Sequence, residues 1–183
     1  MDVLTLRGVL DADRCRWVRA AMDAGAREPA RMLDDDQEGR RAIDVDVSDD
    51  VNAFVESRLD ARKTEIEAFF DTTLRGREGA GFLRYEAGGF YGRHVDRADV
   101  PSWPDAARRA VTIVLFLNSA RDVDATGEFG GGCLRVFPDG LAANHVDIVP
   151  RAGTLVAFPS SAAHEVTTVI DGCRDAVVDW FYF

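Results

Sequence analysis

Apolar residues recur along this chain in two rhythms. Near the start, in "LDADRCRWVRAAMDAG", Cys15, Val18, Ala21 and Met22 return every three or four positions. That spacing predicts a helix, with Asp11 or Asp13 as its cap and Gly25 as its end. A second helical stretch runs through "SDDVNAFVESRLDARKTEIEAFFDTTL", with Ser48 as cap and Val51, Val55, Leu59, Ile66 and Phe70 as the buried stripe. Its length predicts a break near Asp60. Residues 27–41 show no period and read as a polar loop with an acidic tip at Asp34, Asp35 and Asp36, expected to move over a binding mouth. "RAIDVDV" alternates and predicts a short strand.

From Gly81 onward the period shortens. "AVTIVLFLN" (Ala110 to Asn118) reads as a buried strand, "GEFGGGCLRVFPDG" as a glycine-rich turn followed by alternation, and "HVDIVPRAGTLVAFPS" as two further strands. "HEVTTVIDGCRDAVVDWFYF" predicts a hairpin turning at its Asp-Gly pair. Helices followed by many short strands give an α+β class. We expect one domain over residues 1–183, with helical support over about 1–75 and a strand-rich sandwich or barrel over about 80–183.

Composition narrows the function. The 183 residues are 46% hydrophobic and 30% charged, with a formal net charge of −10. Such an acidic chain lacks the basic footprint that a nucleic-acid binder needs. No run approaches the roughly 20 apolar residues of a membrane span. The first residues carry charge early, unlike a signal peptide. The three cysteines, Cys15, Cys133 and Cys173, are too few and too scattered for a disulfide framework, which points to reduced thiols and a cytoplasmic setting.

The stretch "FLRYEAGGFYGRHVDRADV" holds the most informative chemistry. In a strand, residues two apart share a face, so His94 and Asp96 project together while Val95 points away. Of the other histidines, His164 follows the strand "GTLVAF" and can converge on this pair; His145 lies in a loop, with no partner at ligand spacing. Two histidines and one carboxylate on one face of an octahedron leave three positions open, the facial arrangement of non-haem Fe(II) oxygenases. A 2-oxo acid can fill two of them and dioxygen the third. A closed structural zinc site would need four protein ligands. Arg174 lies ten residues beyond His164, and its planar fork suits the far carboxylate of 2-oxoglutarate. It shares a strand face with Ala176, Val178 and Trp180, a face expected to line the pocket. The run Gly130-Gly131-Gly132 precedes a strand and not a helix, so it reads as a close backbone approach and not as a phosphate loop.

The segments "RYEAGGFYGRHVD", "RRAVTIVLFLN", "GGCLRVFPDG", "GTLVAFPSSAAHEV" and "GCRDAVVDWFYF" together resemble the Fe(II)/2-oxoglutarate-dependent dioxygenases of the prolyl 4-hydroxylase-like group. The look is that of the hypoxia-inducible-factor prolyl hydroxylases and their bacterial relatives. The resemblance covers a little over half the chain and implies a double-stranded β-helix, or jelly roll, supported by helices. It implies His94, Asp96 and His164 as iron ligands and Arg174 as the holder of 2-oxoglutarate, with Tyr85 lining the cosubstrate pocket. Arg109 and Tyr91 match positions near the substrate mouth, and Trp180 a pocket-lining tryptophan. Where the hypoxia-type enzymes have a tyrosine that helps the arginine, this chain has Phe116; Thr112 or a water is expected to replace the lost hydroxyl.

The implied activity is hydroxylation of an unactivated C–H bond, favouring a prolyl residue in a protein or peptide, with Fe(II), 2-oxoglutarate and O2 consumed or bound and succinate and CO2 released. The iron centre does the chemistry, with no separate side-chain acid or base. One alternative keeps the chemistry and takes a free amino acid or small biosynthetic intermediate. Another is a cupin-like metal-binding sensor without catalysis.

Overall fold

A computed structural model describes residues 3–30, 39–122, 125–138, 140–141 and 143–183. Its strands, numbered along the chain, form two main antiparallel sheets. The larger has seven strands in the spatial order Leu4–Leu6 (β1), Leu155–Pro159 (β11), Arg109–Phe116 (β7), Cys173–Tyr182 (β14), Gly81–Glu86 (β5), Ile43–Val45 (β4) and Arg27–Pro29 (β2). The smaller has five, in the order Val146–Ile148 (β10), Leu134–Phe137 (β9), Ala163–Val166 (β12), Phe90–His94 (β6) and Arg40–Arg41 (β3). Val169–Asp171 (β13) and Gly130–Gly131 (β8) make a separate pair.

Three helices support the larger sheet: Ala12–Ala24 (α1), Asp49–Asp60 (α2) and Lys63–Phe70 (α3). Asp11 caps α1, accepting from the Arg14 N–H at 2.8 Å. Ser48 takes the N-cap position of α2, although its side chain makes no capping bond there. The break expected near Asp60 separates α2 from α3. Cys15, Val18, Met22, Val51, Val55, Leu59 and Ile66 are buried against Val111, Ile113, Leu115 and Val177 on the outer face of the larger sheet. None of the described helices is long and apolar enough to cross a membrane.

The inner face of the larger sheet packs on the smaller sheet through Val114, Phe116, Leu134, Val136, Val156 and Phe158. All eight residues of β7 are buried; from Val111 on, odd positions lie under the helices and even positions face the smaller sheet and the cavity. A strand covered on both faces reads as a continuous apolar run, which is how "AVTIVLFLN" announced itself. This arrangement, two facing antiparallel sheets backed by helices, is the expected jelly roll.

Two expectations need correction. Residues 27–41 are not wholly a loop, because Arg27–Pro29 pairs with β4 and Arg40–Arg41 pairs with β6. The acidic tip and most of the intervening segment lie outside the described residues. The Asp-Gly pair is also not a hairpin turn. β13 pairs with β8, whereas β14 lies between β7 and β5 and has no free edge to offer it. Gly172 instead marks a corner at which the chain changes sheets. Its φ is +74°, and a Cβ there would lie 2.3 Å from the Glu128 carbonyl, so only glycine fits.

The outer face of β14 carries charge where it meets α1. Asp175 is fully buried and accepts from Arg84 Nε at 2.7 Å, Arg84 Nη2 at 2.9 Å and Arg19 Nε at 2.9 Å. Burial pushes its carboxyl up, but the two guanidinium groups outweigh that and hold it below its ordinary value. Breaking a buried pair of this kind leaves an uncompensated charge. Asp175→Ala is therefore expected to lower unfolding free energy by about 3–5 kcal/mol, read as a shift in the urea midpoint; a loss below about 1 kcal/mol, the value of an exposed pair, would contradict this role.

Candidate metal centre

The site begins with a strand pairing. β6 and β12 run antiparallel with His94 opposite His164. The register slips between His164 and Val166: β6 advances three positions, from Tyr91 to His94, where β12 advances two. A bulge of this kind re-aims side chains next to a site. The two imidazoles lie with ring centroids 4.1 Å apart. Tyr91 stacks on His94 at 3.5 Å and 15°, and Phe158 meets His164 edge-on at 4.7 Å, so both rings are clamped.

Each imidazole has its inner nitrogen engaged. His94 Nδ1 donates to the Gly92 carbonyl at 2.8 Å and His164 Nδ1 to the Ala162 carbonyl at 3.0 Å. With the protons on Nδ1, both Nε2 lone pairs are left for a cation, as metal-binding histidines require. Those nitrogens converge on one carboxylate: His94 Nε2 is 3.5 Å from Asp96 Oδ1 and His164 Nε2 is 3.3 Å from Asp96 Oδ2. Burial lowers the His164 pKa to about 4, so this ring is neutral and its lone pair available at neutral pH. Burial alone would raise the Asp96 pKa, but the neighbouring imidazoles hold it well below the carboxylate range. Asp96 is also not a strand residue, as simple alternation assumed. β6 ends at His94, and Asp96 sits in the bend that follows.

One ligand atom from each of His94, Asp96 and His164 lies within 4.8 Å of the others, and this is the one such group of three or more among the described residues. Two imidazole nitrogens and one carboxylate, with no fourth donor among the described residues, fit a six-coordinate Fe(II) that keeps open positions. They do not fit a closed zinc site.

The same cavity, lined also by Leu83, Val114, Leu134 and Val166, reaches Arg174. Arg174 is 1% exposed, and its Nε has no hydrogen-bond partner. Its guanidinium lies 5.0 Å from the Tyr85 ring and 5.3 Å from the Phe116 ring. Burial pushes its pKa down, as expected for a cation taken from water without a full set of partners. Gly132 helps to admit it, since a Cβ there would come within 3.0 Å of Arg174 Cδ. A buried guanidinium with its Nε unpaired is a fitted receptor for a carboxylate.

The remaining candidates fall differently. Tyr85 is directly opposite Arg174 on the paired strand. Trp180 lies on the same face of β14 as Arg174 and Val178, towards the metal ligands. Its indole N–H faces Asp96 and adds to the favourable field there, short of a well-formed hydrogen bond. Thr112 does not stand in for the hydroxyl missing at Phe116. Phe116 is four residues farther along β7, about 13 Å away, and the Thr112 hydroxyl instead donates to Asp96 Oδ2 at 2.7 Å. Tyr91 is covered by Arg40, whose guanidinium lies 4.4 Å from the ring.

Arg109, expected near the substrate mouth, is the first residue of β7 and is held by several partners. It is 2% exposed, grips Glu78 through Nε at 2.6 Å and Nη2 at 2.5 Å, donates from Nη1 to the Asp96 carbonyl at 3.2 Å, and lies 3.7 Å over Trp180. Its fork is thus taken up by Glu78 and the Asp96 main chain, while the side chain lines the same cavity as the metal ligands. Glu78 and Ser160 carry no motif signal and were missed; both are met only through long-range contacts. His145 is exposed, with Nε2 3.8 Å from Asp147 Oδ1. The Cys133 and Cys173 thiols are raised by burial to about 11 and about 12, which leaves them unreactive.

Known proteins resemble this arrangement. The sequence profile of the 2OG-Fe(II) oxygenase superfamily matches residues 80–182. A PKHD-type hydroxylase of Acaryochloris marina is 38% identical over 54% of this chain, a match that spans 39% of that protein, so the chain covers about two fifths of such a relative. A PKHD-type hydroxylase of Shewanella baltica is 30% identical over 98% of this chain and 72% of its own length. Among solved structures, a Pseudomonas putida prolyl-4-hydroxylase superposes with a TM-score of 0.73 at 27% identity, covering 98% of this chain and 91% of that one. A Trichoplax adhaerens prolyl hydroxylase in complex with a hypoxia-inducible-factor peptide fragment shares the fold, with a TM-score of 0.73 at 18% identity over 98% of this chain and 83% of that one.

The geometry predicts that His164→Ala abolishes stoichiometric Fe(II) binding under anaerobic titration while the far-ultraviolet circular dichroism stays that of the parent. Parent-like iron affinity in that variant would remove His164 from the ligand set.

Proposed function

Because the chain belongs to the 2OG-Fe(II) oxygenase superfamily, we propose that it is an Fe(II)- and 2-oxoglutarate-dependent dioxygenase acting on a prolyl residue of a protein or peptide. The observation that carries this reading is the pairing, within one cavity, of an open three-ligand site with a buried arginine whose Nε has no hydrogen-bond partner.

In this reading His94 Nε2, the Asp96 carboxylate and His164 Nε2 hold the iron. Bound iron with 2-oxoglutarate and O2 supplies an oxidant able to hydroxylate an unactivated C–H bond, with succinate and CO2 released. The protein's own part is binding, orientation and exclusion. Arg174 takes the far carboxylate of 2-oxoglutarate in its fork, with Tyr85 and Phe116 walling the guanidinium. Leu83, Val114, Leu134, Val166 and Val178 keep the cavity dry, which strengthens each charge–charge contact inside it. Glu78, the remaining carboxylate nearby, is engaged by Arg109 and by the Trp103 indole at 3.2 Å, so it is not offered as an acid or base.

The prolyl assignment draws on the likeness to the Pseudomonas putida prolyl-4-hydroxylase. A free amino acid would keep every residue role above. Incubation with Fe(II), 2-oxoglutarate and a panel of proline-containing peptides and free amino acids tests both: the reading expects succinate and a one-oxygen mass gain on a peptide. Gain only on a free amino acid would replace the substrate class, and absence of 2-oxoglutarate-dependent succinate throughout would count against the chemistry.

Arg174 gives a sharper test. Truncating one partner of a buried charge pair costs about 2–5 kcal/mol, whereas a neutral hydrogen bond is worth about 0.5–1.5 kcal/mol. Arg174→Ala is expected to cripple 2-oxoglutarate turnover, Arg174→Lys to be intermediate, and Phe116→Tyr to shift 2-oxoglutarate affinity by about tenfold at most. Near-parental apparent affinity in Arg174→Ala, at matched iron loading, would mean that another residue holds the far carboxylate.

A further inference from the structure

Strand pairing holds two of the three ligands and not the third. His94 and His164 face each other within a ladder, while Asp96 lies beyond the end of β6 in a bend. Its main chain is fixed from outside: its N–H donates to the Ser160 carbonyl at 3.1 Å, and its carbonyl accepts from Arg109 Nη1 at 3.2 Å. That anchors the backbone and leaves the carboxylate free to turn about its Cβ–Cγ bond.

Two buried hydroxyls stop that rotation. Thr112 Oγ1 is 2.7 Å from Asp96 Oδ2 and 3.0 Å from Ser160 Oγ, and both hydroxyl residues are buried. A hydroxyl has one proton to give, and an ionised carboxylate has none. The Thr112 proton therefore goes to Asp96, and Ser160 supplies its own to Thr112 Oγ1. The proton order Ser160 to Thr112 to Asp96 is the one that satisfies all three groups, and each bond in such a chain polarises the next.

We propose that Thr112, oriented by Ser160, is a positioning residue of the metal centre that locks the rotation of the Asp96 carboxylate. The inference rests on reading His94, Asp96 and His164 as the iron site and adds a constraint to it. A carboxylate free to turn can present both oxygens to one cation and so take an extra coordination position. With Oδ2 tied to Thr112, Asp96 takes a single position, and two adjacent positions stay open for a chelating 2-oxo acid. Ser160 grips the same residue twice, by its carbonyl on the Asp96 main chain and by its hydroxyl through Thr112.

The test measures Co(II) affinity and the visible absorption of the Co(II)-saturated protein for the parent, Thr112→Val, Thr112→Ser and Ser160→Ala, with thermal unfolding of the metal-free forms alongside. Thr112→Val keeps the shape and removes the hydroxyl. It is expected to bind Co(II) about 10–100-fold more weakly, with an altered spectrum at saturation. Thr112→Ser is expected to restore both, and Ser160→Ala to fall between. Parent-like affinity or a parent-like spectrum in Thr112→Val overturns the proposal, as does a Thr112→Ser variant that loses as much as Thr112→Val, which would assign the effect to the γ-methyl. Should Thr112→Val unfold, Ser160→Ala decides by the same criteria. A parent that binds no Co(II) overturns the reading of the site itself, and with it this proposal.

Discussion

A carboxylate enclosed by two imidazoles, between two apolar sheets, is the constraint on which this structure turns. Taking Asp96 out of water is costly unless a positive charge compensates it. The imidazoles favour its ionised form, but His164, neutral at physiological pH, brings no full positive charge. Their inner nitrogens are tied to backbone carbonyls and their outer lone pairs point inward. Three acceptors facing one another stay together in a folded protein because a cation completes them. The opposite imbalance exists deeper in the cavity, where Arg174 is a buried cation without a full complement of acceptors. The two needs are complementary, and a small 2-oxo diacid answers both at once.

The sheets exist in the form that this cavity requires. β7 is buried on both faces, so its alternate residues serve the helix-backed core and the cavity at the same time. β14 divides its side chains in the same way: Arg174, Val178 and Trp180 face inward, while Asp175 and Asp179 face outward into ion pairs with Arg84, Arg19 and Arg77. Charge on the outer face thus locks the strand that carries the inner-face arginine. Few chain positions can be moved without disturbing both sides.

The sequence disclosed much of this because the important residues are few and distinctive. With three histidines in the chain, His94-Val95-Asp96 and a distal His164 stand out, and the strand face of Arg174 follows from simple alternation. The helices follow from periodicity, the break near Asp60 from the length of the helical stretch, and the buried strand β7 from its continuous apolar run. What stayed hidden depends on long-range partners. The Asp-Gly pair has hairpin composition, yet β14 is already flanked on both edges, so it turns a corner instead. "RAIDVDV" reads as one strand, but the chain leaves one sheet at Arg41 and enters the other at Ile43. The Glu78–Arg109 pair spans 31 positions and the Thr112–Ser160 contact spans 48, separations at which no local pattern survives.

Binding of 2-oxoglutarate to the unmodified protein, measured by calorimetry under anaerobic conditions with and without Fe(II), tests the central claim most directly. If the triad and Arg174 act as the two ends of one receptor, 2-oxoglutarate binds at one equivalent and much more tightly with iron present. Glutarate, which keeps both carboxylates but lacks the keto oxygen, then gains little from the metal. Equal affinity for 2-oxoglutarate with and without iron, or equal gains for the two acids, would contradict the account.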